Sequence, residues 1–210
     1  MSTRLTNISQ ELKTHVPFTI LGTLTGILIM VVIIYAKVPT KVSTGLFWTL
    51  HPAHVLLSAL VTAGMYRLHS KGRLWATIVI GYCGSIGIAT LSDCIIPYAG
   101  EYLLDLPHRH AHFGFIEKWW LVNPLAILGV VIAYLRPKTK FPHAGHVLLS
   151  TWASLFHMTM ALGEQYSVVT VVLSGVFLFL AVWIPCCTSD IIFPLLFAKG
   201  ERATPHHAHA

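Results

Sequence analysis

HPAHVLLSALVTAGMY, residues 51–66, places two imidazoles at the head of a run that carries no charge. A histidine in an apolar, lipid-facing segment is costly unless neighbouring helices or a ligand satisfy it. The question recurs further on, because residues 143–150 read HAGHVLLS and match HPAHVLLS at 51–58 in six of eight positions, at an offset of 92. A second echo follows each copy: Ser92-Asp93-Cys94-Ile95-Ile96-Pro97 and Ser189-Asp190-Ile191-Ile192-Phe193-Pro194 share the form S-D-x-I-x-P.

Outward from these motifs the chain is apolar nearly throughout. Of its 210 residues, 55% are hydrophobic and 10% charged, against roughly 25% charged in a soluble domain. Runs at 14–36, 42–66, 74–100, 119–135, 141–163 and 165–198 each meet or approach the about 20 residues that a bilayer crossing requires. The expectation is an all-α integral membrane protein with six transmembrane helices. No small-residue cleavage site follows the first run, so no removable signal peptide is read and helix one is retained.

Six spans divide the basic residues unevenly. One side takes Arg4, Lys13, Arg67, Lys71, Arg73, Arg136, Lys138, Lys140, Lys199 and Arg202; the other takes Lys37, Lys41, Arg109 and Lys118. By the positive-inside rule both termini are expected in the cytoplasm. The net charge of +6 then reports topology, and the basic residues sit in short loops that imply no nucleic-acid partner. The four cysteines, Cys83, Cys94, Cys186 and Cys187, fall inside or at the edges of the runs, which is no extracellular disulfide framework.

The doubled motifs imply a doubled fold. Two halves of three helices enter the membrane from opposite faces, because three is odd, and give a 3+3 inverted-topology repeat of the kind transporters use. Residues 1–210 then form a single membrane domain: a first repeat at 14–100, an external His-rich loop at 101–118, a second repeat at 119–198 and a cytoplasmic tail at 199–210. Pro52, Pro97, Pro142, Pro185 and Pro194 lie in or at the ends of the motif-bearing spans, so broken or kinked helices are expected there. The sixth run is longer than one crossing, and a helix to about Pro185 followed by a separate segment is expected. Gly22-x-x-x-Gly26 allows close helix packing, read as intramolecular. Leu5, Ile8 and Leu12 suggest a short N-terminal helix on the cytoplasmic face, and Trp48, Trp119 and Trp120 read as interfacial anchors.

His51 and His54 are three apart, as are His143 and His146, so each pair projects from one helix face. Imidazole suits zinc, copper, iron and nickel, carboxylate supplies the neutralising charge, and thiolate selects softer ions. The candidate ligands are therefore His51, His54, Asp93 and Cys94 in one set, and His143, His146, Asp190 with Cys186 or Cys187 in the other. They form either two sites offset toward opposite faces or one shared site near the midplane, and the sequence leaves both open. His157 is expected to pack in the core or make a helix–helix hydrogen bond, with an added ligand to the outer set as the alternative. His108, His110 and His112 in the loop, and His206, His207 and His209 in the tail, are loose metal-binding tracts or solvated residues.

These residues imply a small membrane transporter or carrier for a divalent transition metal such as zinc, iron, copper, nickel or manganese. The alternative is a membrane-embedded metalloenzyme with a mono- or dinuclear site; whether the chain is an enzyme is left open. A b-type haem protein fits less well, because haem takes single histidines from two facing helices. The partners implied are the lipid bilayer and the metal ion, with a homo-oligomer or a larger membrane complex compatible with both readings. No Walker loop, dinucleotide fingerprint or HExxH motif is present.

Overall fold

A computed structural model describes the backbone of residues 2–70, 73–136, 140–162, 167–187 and 192–197, and the side chains of 16, 17, 19–70, 73–136, 145–162, 167–186, 192–194, 196 and 197. Among these residues the chain is helical, with no strand. The helices are α1 (Ser2–Tyr35), α2 (Thr40–His69), α3 (Leu74–Thr90), α4 (Ile96–Leu103), α5 (Gly114–Glu117), α6 (Trp119–Leu135), α7 (Lys140–Leu162), α8 (Val168–Cys187) and α9 (Phe193–Phe197). A π-helical turn, Leu91–Ile95, joins α3 to α4.

Three of these stretches are long and apolar enough to cross a bilayer: Thr40–His69, the continuous Leu74–Leu103, and Val168–Cys186. Thr19–Tyr35 and Trp119–Leu135 are shorter apolar helices. The distribution of side chains supports membrane association independently. Leu21, Leu24, Leu28 and Val32 line the exposed face of α1, and Val169, Val172, Leu173 and Val176 that of α8. The interior, by contrast, holds Ser58, Thr62, Ser92, Asp93, Glu101, Ser150, Ser154 and four buried histidines. An apolar outer face over an interior that carries many buried polar groups beside its apolar clusters suits a lipid solvent that cannot hydrogen-bond.

α2 sits at the centre and packs against α7, α6 and α3, while α1 and α8 close the other side of α7. Small residues let the axes approach. A Cβ added at Gly22 would stand 2.9 Å from Thr151 Oγ1, so the glycine pair of α1 serves contact with α7 within the chain. Where a hydroxyl would lack a donor or acceptor in lipid it turns back on its own helix, as Thr151 Oγ1 does toward the Val147 carbonyl at 2.9 Å.

The prolines act unequally. α1 runs through Pro17 and α2 through Pro52 without a break, so the N-terminal turn belongs to α1 and is no separate surface helix, and the break expected at Pro52 is absent. The interruption falls instead before Pro97. Proline has no N–H and its ring crowds the carbonyl one turn back. Here the chain widens to a π turn, in which the Ile96 N–H reaches the Leu91 carbonyl five residues earlier. In that register the Ser92 carbonyl would wait for a proton that Pro97 does not have, and Ser154 of α7 supplies one, its hydroxyl lying 2.9 Å from Ser92 O. The same hydroxyl also reaches the Ser150 carbonyl at 2.8 Å. α8 ends at Cys187 and a separate short helix begins at Phe193.

Candidate metal centre

The π turn puts Asp93 in the middle of the bundle, fully buried. Four donors converge on it. His51 Nδ1 lies 2.9 Å and His54 Nδ1 2.7 Å from Oδ2; Ser92 Oγ at 2.7 Å and Ser150 Oγ at 3.1 Å donate to Oδ1. The histidines stand three positions apart on α2, which turns both rings to one face and lets one carboxylate oxygen take both N–H groups. A buried carboxylate with fewer donors would lose several kcal/mol of hydration without return, on the order of magnitude seen for broken buried pairs.

With Nδ1 of His54 committed to Asp93, Nε2 is the nitrogen left for coordination, the tautomer that carboxylate-bound metal histidines adopt. His146 of α7 stacks on His54 with ring centroids 4.8 Å apart and planes inclined by 24°. One ring nitrogen from each, together with Cys186 Sγ of α8, all lie within 4.8 Å of one another, and all three residues are buried. The Cys186 thiol donates to Ser150 Oγ at 3.5 Å, which ties it to the Asp93 network. Three ligand atoms of N, N and S type fit a zinc-class ion, whose bonds of about 2.0–2.3 Å require the three groups to close by a rotamer adjustment. Among the described residues the set supplies three ligands, one fewer than a tetrahedral ion takes.

The candidate residues thus divide. His51, His54 and Asp93 meet as a hydrogen-bonded triad, and His54 also joins His146 and Cys186, so the two motif copies contribute to one place. The axial separation of about 9 Å that idealised helices centred at one depth would give His54 and His146 is absent: their rings stack with centroids 4.8 Å apart. Cys94 is buried in an apolar cluster with Phe47, Leu155 and Met158 and joins neither group; consecutive helical residues point about 100° apart, so Asp93 and Cys94 cannot share a face. The side chains of His143 and Cys187, and all of Asp190 and the tail histidines, lie outside the described residues.

One functional side chain escaped the sequence reading. Glu101 of α4 is fully buried, and its Oε1 accepts from His157 Nδ1 of α7 at 2.6 Å. It sits one residue past a span boundary drawn at a charge; the signal was the unbroken helical pattern through Leu103. Nearer the surface, His112 Nδ1 lies 3.1 Å from Glu117 Oε2, and Glu117 Oε1 accepts the Phe113 N–H at 2.9 Å. Partial burial lowers the His112 pKa from its usual value, and the Glu117 hydrogen bond offsets part of that shift.

No protein-family model, curated protein or solved structure matches this chain. The fold and site therefore define the class: an all-helical, membrane-associated protein with buried His, Asp and Cys groups that can hold a metal ion.

Proposed function

We propose that the chain is a small membrane carrier for a divalent transition metal, with His54, His146 and Cys186 as the central ligands and Asp93 as the group that orients His54. One observation carries the reading: histidines from the two motif copies stack face to face beside a thiol, deep in a bundle whose outer surface is apolar. Neutral imidazoles and a thiol give a borderline-soft set, which favours zinc, copper or nickel over magnesium or calcium.

The architecture proposed with it is six spans in two inverted halves, 14–100 and 119–198, with both termini cytoplasmic. Its supports are the ten-to-four division of Lys and Arg and the near-symmetric meeting of His54 with His146, the residues that the repeat aligns. A further support is Ile192, π-helical like Ile95 and likewise two residues before a proline. Cysteine-accessibility labelling on a cysteine-free background checks the orientation: a cysteine at position 110 reacts from the outside only.

The fourth position of a tetrahedral ion favours a second reading, a metalloenzyme in which water or a lipid-soluble substrate completes the shell. The bis-His haem reading loses its pair, because rings stacked at 4.8 Å leave no space for a porphyrin between them. Reconstituted proteoliposomes separate the first two. Flux of Zn2+ or Ni2+ down its gradient that falls at least about tenfold in both His54→Ala and His146→Ala supports the carrier, by analogy with the usual loss when one ligand is removed. Stoichiometric metal with no flux in the wild type contradicts it and leaves the enzyme.

A further inference from the structure

The Asp93 network is closed, but the Glu101–His157 pair above it is not. Glu101 Oε2 and His157 Nε2 are both buried and neither has a hydrogen-bond partner among the described residues. Two open valences on one hydrogen-bonded, fully buried couple are costly in isolation. Their position explains them. The His157 ring lies 5.4 Å from that of His112, and His112 belongs to a group of three, His110, His112 and Glu117, whose ligand atoms all lie within 4.8 Å of one another.

We propose that this region is a second transition-metal site: His110, His112 and Glu117 capture an ion at the outer loop, and His157 Nε2 is the ligand waiting beneath. The loop is held in place for the task. The His108 N–H bonds the Ala161 carbonyl at the end of α7, and Glu117 is fixed by the Phe113 N–H. Two cations nearby have partners of their own: Arg109 pairs with Asp105 at 3.1 Å, and the Lys118 ammonium lies 5.7 Å over Trp48. Three imidazoles and a carboxylate form a nitrogen- and oxygen-rich set, harder than the inner one, which suits zinc or nickel and takes no thiolate. His157 donates its Nδ1 proton to Glu101 just as His54 does to Asp93, which turns Nε2 of each ring away from its carboxylate and toward a ligand.

Phe47 separates the two sites. Its ring stacks on His51 with centroids 5.4 Å apart and meets His157 at 5.3 Å and His112 at 5.8 Å. The outer site stands on its own residues; its role as the first station on a route inward rests on the carrier reading above.

The test uses the purified full chain with Co2+ alone as the probe, because cobalt reports its ligands by colour. A thiolate ligand gives an intense charge-transfer band, whereas nitrogen and oxygen ligands give only weak ligand-field bands. The wild type is expected to take up two Co2+ ions per chain. The double variant His110→Ala/His112→Ala loses one of them and keeps the charge-transfer band, which doubles as the sign that it is folded. Glu117→Gln keeps both ions but weakens the outer one by about tenfold. A double variant that binds as many ions, as tightly, as the wild type overturns the proposal. Failure of the inner site is read separately, as a wild type with no charge-transfer band whose remaining ion still depends on His110 and His112.

Discussion

Asp93 and Glu101 are both carboxylates buried to 0% exposure, and both grip a histidine through Nδ1. They are finished differently. Asp93 takes four donors from three helical segments, while Glu101 takes one side-chain donor and its Oε2 has no partner among the described residues. A saturated carboxylate acts as scaffold: it sets the tautomer and direction of the rings around it. An unsaturated one keeps capacity for something that arrives. The inner centre thus owes its stability to the protein and its chemistry to His146 and Cys186, whereas the outer pair is completed by a ligand.

The sharpest way to break this contrast is to delete each carboxylate. Asp93→Ala strips two buried histidines and two hydroxyls of their acceptor and is expected to cost about 3–5 kcal/mol, the range for breaking a buried ion pair. Glu101→Ala frees only His157 and is expected to cost about 1–3 kcal/mol. Thermal or denaturant unfolding in the same detergent compares them, and equal losses would mean that the outer pair is as structural as the inner.

Metal addition comes next. A site that binds only the folded state adds about 2.7 kcal/mol when free ion stands at a hundred times its dissociation constant. The unfolding midpoint of the wild type should therefore rise with Zn2+ and fall back with a chelator. In His146→Ala only the outer contribution remains.

Gly114 tests the join between the two regions, because it opens α5 against the imidazole of His51, and a Cβ there would collide with His51 Nε2. Gly114→Ala is expected to destabilise by about 1–3 kcal/mol, as overpacking does, and to weaken the outer site by displacing the loop. The smallest effect belongs to Glu117→Gln, at a partly exposed position, with a stability change within about 0.5 kcal/mol alongside its loss of metal affinity. A larger stability change would show that Glu117 holds the loop instead of a ligand.

The helices and the buried histidines were legible because lipid allows few ways to satisfy a backbone or an imidazole. The apolar runs and the doubled H-x-x-H motif mark the helices, and the spacing of three predicts that His51 and His54 share a partner, as they do on Asp93. What the sequence left open depends on how helices slide past one another. Nothing in the order of residues fixes the packing of α7 on α2 that stacks His146 on His54, or the choice of Cys186 over Cys94. Glu101 is hard to place from sequence because a charge ordinarily marks the end of a span, although α4 carries it into the interior opposite His157. The π turn was half visible: Pro97 announced an interruption, but its filling by Ser154 needed the neighbouring helix.

The central claim is that His54, His146 and Cys186 bind one metal ion. X-ray absorption at the metal edge of the purified, zinc-loaded His110→Ala/His112→Ala variant tests it most directly, because that variant leaves the inner site alone. One sulfur at about 2.3 Å and nitrogen ligands at about 2.0–2.1 Å are expected, with the sulfur shell lost in Cys186→Ser. A shell of nitrogen and oxygen alone, unchanged by Cys186→Ser, or no bound zinc at all, would contradict it.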